Sequence, residues 1–134
     1  EISRPILGRI IFNNPEKREA LNRLVHPAVR ETVIEWIKEK RSLGQNAAVL
    51  IPLLYESGLQ DLDWNSILCV SSSEDDVFRR LEKRGMSREE AETRIHSQLA
   101  LAEKEKLADY IVPNNGTLGE LELAVRKTVQ AIVG

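Results

Sequence analysis

One cysteine, two histidines and no apolar run of membrane-spanning length set the first limits on this 134-residue chain. The lone Cys69 lies between Leu68 and Val70, which marks it as a small core residue in a reducing, cytosolic setting. With it, the distant His26 and His96 give no zinc spacing and no metal site. No stretch approaches the about 20 apolar residues of a membrane span, and the first residues do not read as a signal peptide. A net charge of −2 gives no electrostatic case for nucleic acid or a membrane as partner. Ser-His-Asp order, HExxH and GxGxxG are all missing. What remains, 42% hydrophobic and 30% charged, is the composition of one globular domain with one core. The chain starts with Glu1 rather than Met, as a fragment or a processed product would.

The chain is organised around residues 47–58, AAVLIPLLYESG. Its continuous apolar start fits a strand buried on both faces, as in parallel sheets covered by helices. Pro52 cannot donate to a ladder, so the strand is expected to end there. Ligands of open α/β sheets bind beyond the carboxyl ends of strands, which makes 53–58 a candidate site wall.

Before it, Ser3 starts a short helix through Phe12, and Asn14-Pro15 caps a second helix with Ala20, Leu21, Leu24 and Val25 on its buried face. His26-Pro27 is expected to break that helix, and a third, burying Val29, Val33, Trp36 and Ile37, runs to about Ser42 and stops at Gly44. After the central stretch come a second strand at 66–70, a helix at 74–84 capped from 71–73, and a capping box Ser87-Arg-Glu-Glu90 opening a helix through about Leu101. A third strand at 109–112, a turn at 113–116 and a last helix capped by Thr117 complete the chain. Strands alternating with helices predict an α/β fold with a parallel sheet of about three strands.

The helix at 74–84 is the most informative. On a 100° wheel Val77, Phe78 and Leu81 form its apolar arc, with Arg79 and Lys83 opposite. Arg80 and Arg84, four apart, fall on the border of that arc. There an arginine either snorkels to water or points into a cleft, where its planar fork suits polyphosphate oxygens. The next helix adds Arg88, Arg94 and Gln98, and with Lys104 and Lys106 makes 79–106 the densest basic segment. Interleaved glutamates allow two readings, a solvated salt-bridged hairpin or a mobile lid closing over phosphates. His26 reads as a satisfied helix-boundary residue or as a catalytic one. Glu56, beyond a strand end, is a loop carboxylate or a contact for substrate or metal-bound water. Asn114-Asn115-Gly116 is a turn that also approaches a ligand's base.

Taken in order, the segments Leu7-Gly-Arg-Ile-Ile-Phe12, Leu24-Val-His-Pro-Ala28, Ile51-Pro-Leu-Leu-Tyr-Glu-Ser57, Arg80…Arg84-Gly85, Glu90-Ala91…Arg94…Gln98 and Ala108-Asp-Tyr-Ile-Val-Pro-Asn-Asn-Gly116 resemble one family, the dephospho-CoA kinases. The resemblance covers essentially the whole chain. It implies a P-loop kinase with a parallel-sheet core, a helical substrate domain and a helical lid, transferring the γ-phosphoryl of ATP to the ribose 3′-hydroxyl of dephospho-CoA with Mg²⁺. By position, residues 1–46 would be the substrate-binding region, 47–73 core strands and cleft loop, 74–107 the lid, and 108–134 the last core strand and helix. Arg80 would be the catalytic phosphate contact, with Arg84 and Arg94 in the lid. His26, Pro27, Arg30, Leu53 and Glu56 would address the substrate, and Asn114, Asn115 and Gly116 the adenine.

One part of the family's pattern has no match. GxxGxGK[ST], whose amides and Lys hold phosphates while Ser/Thr binds Mg²⁺, is not among the 134 residues, nor is the acidic base that follows it. The chain alone is therefore expected to lack useful kinase activity. The family's first strand is central, so without it two sheet edges would go unpaired, which gives the chain a route to self-association. Two alternatives stay open: a non-catalytic relative binding a CoA-like ligand or a protein, and another small-molecule P-loop kinase.

Overall fold

The structure, a computed structural model, describes residues 2–12 and 14–134. The chain forms two compact units, Glu1–Val49 and Leu50–Gly134. The first holds helices α1 (Arg4–Phe12) and α2 (Pro15–Ser42), packed together. Asn14 caps α2, its side chain accepting the Lys17 N–H at 3.0 Å, and Pro15 fills the first helical turn, where no N–H is needed. The far end closes as a Schellman motif. Gly44 takes φ +62° while its N–H reaches Arg41 O, and the Gln45 N–H reaches Lys40 O, both at 3.0 Å.

The expected break at His26-Pro27 does not occur. α2 runs unbroken for 28 residues with Pro27 inside. Proline costs a helix interior about 3 kcal/mol, and long stretches of intact ladder on both sides hold the two halves in one helix. The predicted buried face is also thinner than expected. Leu21, Val33, Trp36 and Ile37 are half-buried, but Val25 and Val29 are exposed and Leu24 is 76% exposed. A helix packed mainly against one short neighbour cannot cover a whole stripe.

The predicted strand at 47–51, which spans the boundary between the units, is not a strand. Residues 45–51 are irregular, and Leu50 is 91% exposed. An apolar run becomes a strand only where a neighbour supplies the ladder, and among the described residues none does. The sheet has two parallel strands rather than three, β1 (Leu68–Ser71) and β2 (Tyr110–Pro113), in the register Leu68 to Tyr110 and Ser71 to Pro113. Asp109 fixes that register at the start: its carboxylate accepts the Ile67 N–H at 2.7 Å, and its own N–H goes to Ile67 O at 2.9 Å. At the other end the Asn114 N–H reaches Ser71 O at 2.7 Å.

The crossover carries α3 (Glu74–Lys83), α4 (Arg88–His96) and α5 (Leu101–Leu107), and α6 (Leu118–Val133) follows β2 and packs on it. The helix expected from 87 to about 101 is thus shorter than read, and the charged stretch after it forms a separate helix, α5. α4 ends after His96, and the Leu99 N–H is taken by the Glu56 carboxylate, a partner that no local pattern reveals. The capping box Ser87/Glu90 is formed as read, and the expected Thr117 cap is part of a second capping box with Glu120. Phe78, Leu81 and Ala91 make the buried contact of α3 with α4, backed by Val77, Met86 and Ile95. The Arg88 guanidinium lies 3.5 Å from the Phe78 ring centre, sealing that contact.

Candidate functional site

The two parallel strands deliver their carboxyl ends side by side, and the polar residues just beyond them form one network. Ser73 starts α3 by accepting the Asp76 N–H at 3.3 Å, while its hydroxyl donates to the Asp76 carboxylate at 2.9 Å. Asp76 is buried and also holds Arg79 at 3.0 Å. This fixes the first turn of α3 and so the position of Arg80 one turn further on. Arg80 reaches back over the strand ends. Its Nη1 donates to Ser72 Oγ at 2.8 Å, and its Nη2 donates to Asn114 O at 2.7 Å and Asn114 Oδ1 at 3.2 Å. The Ser72 hydroxyl donates in turn to Asn114 O at 3.0 Å, and the Ser73 N–H to Asn115 Oδ1 at 2.7 Å. Arg80, Asn114 and Asn115, singled out separately in the sequence, are thus brought together. Ser72 was missed, because a serine in a serine run carries no signal of its own. Gly116 leaves room for the Glu120 carboxylate, which caps α6; a Cβ there would run into it.

The remaining cations of the α3–α4 hairpin sort into held and unheld. Arg79 is held by Asp76, and Arg88 by Glu92 at 3.1 Å and by Phe78. Lys83, Arg84 and Arg94 are exposed and, among the described residues, have no side-chain hydrogen bond or ion pair. Such arginines can engage a polyphosphate without breaking an existing contact.

Glu56 stands apart from this network. Its Oε1 accepts both the Lys104 ammonium at 2.7 Å and the Leu99 N–H at 3.0 Å. The two side chains are 14% and 21% exposed for Lys104 and Glu56 respectively. Burial pushes the Glu56 carboxyl up, but the Lys104 hydrogen bond and charge with the backbone N–H bonds outweigh it, and it titrates below its ordinary value. Nearby, the Tyr55 hydroxyl is buried without a partner among the described residues. Burial first, then Cys69 and Asp109, push its pKa up. Cys69 is half-buried rather than fully buried, and burial followed by the Glu105 charge pushes its thiol up, opposite to what a reactive cysteine needs. Leu53 is exposed on the turn that carries Glu56. His26 and Pro27 are exposed on α2, and Arg30, one turn on, is half-buried and engaged in contacts of its own. No three His, Cys, Asp or Glu side chains gather as a metal site among the described residues.

A family model described as dephospho-CoA kinase matches residues 1–120. A dephospho-CoA kinase of Geobacillus kaustophilus is 45% identical, covering 98% of this chain and 68% of that protein. Those of Staphylococcus epidermidis and Lactobacillus johnsonii are 35% and 38% identical, with 64% and 67% of their lengths covered. Among solved structures, dephospho-CoA kinase from Campylobacter jejuni superposes with a TM-score of 0.72 at 30% identity, covering 98% of this chain and 66% of that one. A crystal structure from Thermus thermophilus gives 0.73 at 32%, covering 100% and 69%. The chain therefore spans about two thirds of the length of the relatives it matches.

Proposed function

The chain belongs to the dephospho-CoA kinase family, and we propose that the gene product carrying it transfers the γ-phosphoryl group of ATP to the ribose 3′-hydroxyl of dephospho-CoA. The observation that carries the reading is the convergence of Arg80 with Asn114 and Asn115 beyond the strand ends, in a chain whose relatives are such kinases. Phosphoryl transfer builds negative charge on phosphoryl oxygens, and catalysis rests on positioning and on charges already in place. Arg80 is the catalytic contact. Its tether to Ser72 and Asn114 fixes the guanidinium before substrate arrives, so little reorganisation is needed in the transition state. Arg84 and Arg94 close on the phosphates as lid residues, and Asn114–Gly116 flanks the adenine. His26, Pro27 and Arg30 of the helical region 1–46 contact dephospho-CoA, as does Leu53 on the cleft loop. Mg²⁺ accompanies the ATP phosphates, held through the GxxGxGK[ST] loop that is not among the 134 residues. The location is cytoplasmic.

The test is a steady-state assay of the gene product and of the 134-residue chain, each with and without Arg80→Met. We expect ATP-dependent phosphorylation of dephospho-CoA by the gene product, reduced about a hundredfold in kcat by Arg80→Met. The 134-residue chain, which contains no GxxGxGK[ST], is expected to show no turnover. Near-normal turnover by that chain would overturn the assignment of phosphate binding to that loop. Preference for another acceptor would make this a different P-loop kinase, and ligand binding without turnover by the gene product a non-catalytic relative.

A further inference from the structure

Besides the Arg80 tether, the hairpin α3–α4 is held at both of its ends, its two feet. The leading foot is Ser73, whose N–H is held by Asn115 of the proposed adenine turn. The trailing foot is Leu99, three residues after α4 ends, whose N–H is held by Glu56 on the turn at 52–58. Lys104, on α5, grips the same carboxylate oxygen, and the next residue, Glu105, accepts the Ser71 hydroxyl at the end of β1. α5 is thereby clamped between the 52–58 turn and the strand that leads into the site.

We propose that Glu56, locked by Lys104, is a positioning residue of the phosphoryl-transfer reaction: it fixes the trailing foot of the lid that carries Arg84 and Arg94. The inference rests on the kinase reading for its kinetic part and revises the expectation that Glu56 is chiefly a substrate contact. Two features separate it from an ordinary surface ion pair. Both side chains are largely withdrawn from water, and one oxygen serves a side chain and a backbone amide at once. Losing either partner frees the same foot. The two residues are thus expected to fail together, and the failure is expected in turnover, because a lid arginine displaced by about 1 Å loses its alignment with the reacting phosphoryl group.

The experiment measures kcat and both KM values for the gene product with Glu56→Gln, Lys104→Met, the double variant and Lys104→Arg. Glu56→Gln and Lys104→Met are each expected to lower kcat about tenfold with KM for dephospho-CoA within twofold. The double variant should be no worse than either single, and Lys104→Arg should recover most of the loss. A tenfold rise in KM for dephospho-CoA in Glu56→Gln, with Lys104→Met unaffected, would make Glu56 a substrate ligand and overturn the proposal. So would unchanged kcat in both singles. Hydrogen exchange of the Leu99 amide in the 134-residue chain tests the latch apart from any activity. Faster exchange in both singles supports it, and unchanged exchange overturns it. A wild-type gene product that phosphorylates no dephospho-CoA would overturn the kinase reading and the kinetic role together, while the amide result would still decide whether the latch exists.

Discussion

Helix α2 runs for 28 residues without burying one of them, whereas α3 has ten and buries Asp76, Phe78 and Leu81. The first is specified along its own length, by an Asn14 cap, a ladder that lacks only the Pro27 rung, and a glycine stop. The second is specified by what it touches: a buried carboxylate at its start, a ring under an arginine, and a guanidinium tied to another strand's end. A helix of the first kind tolerates a proline. A helix of the second kind has no such reserve, and Arg80, the residue proposed for catalysis, stands on it.

Three measurements break or sharpen that contrast. The largest effect is expected for Phe78→Ala, which removes the ring beneath Arg88 and leaves a cavity against Leu81 and Ala91. A loss of about 4 kcal/mol in urea unfolding of the 134-residue chain is expected, and a loss below about 1 kcal/mol would mean that α3 does not depend on its buried contacts. Pro27→Ala in α2 should act in the opposite direction. Removing an interior proline restores about 3 kcal/mol of helix stability, and the more flexible unfolded chain returns up to about 1 kcal/mol of that. A net gain of about 2 kcal/mol should appear as higher helicity and a raised Tm; a loss would show that α2 needs Pro27 for its packing. The smallest effect concerns pH. The folded Glu56 carboxyl titrates below its ordinary value of 4.5, so its contribution is complete above that pH and is lost as pH falls through the lower folded pKa. Glu56→Gln should flatten that part of the acid-unfolding curve and leave stability near neutrality with only its constant offset. An unchanged acid limb would show that Glu56 is not linked to folding.

What was legible in the sequence follows the same division. Caps at Asn14, Ser73, Ser87 and Thr117 were readable because donor and acceptor lie within three residues of one another. The placement of Arg80 on the edge of an apolar arc was readable because helical periodicity alone fixes it. Ser72, which accepts from Arg80, and Lys104, which locks Glu56, were not, since their partners lie 8 and 48 positions away and the contacts exist only once strands and helices have packed. The run at 47–51 was misread for a related reason. Its hydrophobicity is real, but strand formation needs hydrogen-bonding neighbours that composition does not supply. The break expected at Pro27 failed for the converse reason: a local rule was outweighed by the helix on either side. The functional reading depended on the order of several short segments, each too weak to carry it alone.

Pro27 also gives α2 something that an ordinary helix has only at its extremities. With no N–H at position 27, the carbonyl of Arg23 has no donor four residues on, so the helix has an end-like acceptor in its middle. That oxygen lies in the stretch containing His26, on a helix that buries none of its residues. The proline ring itself lies against that carbonyl, so α2 carries in its middle one acceptor that no rung of its own ladder can satisfy.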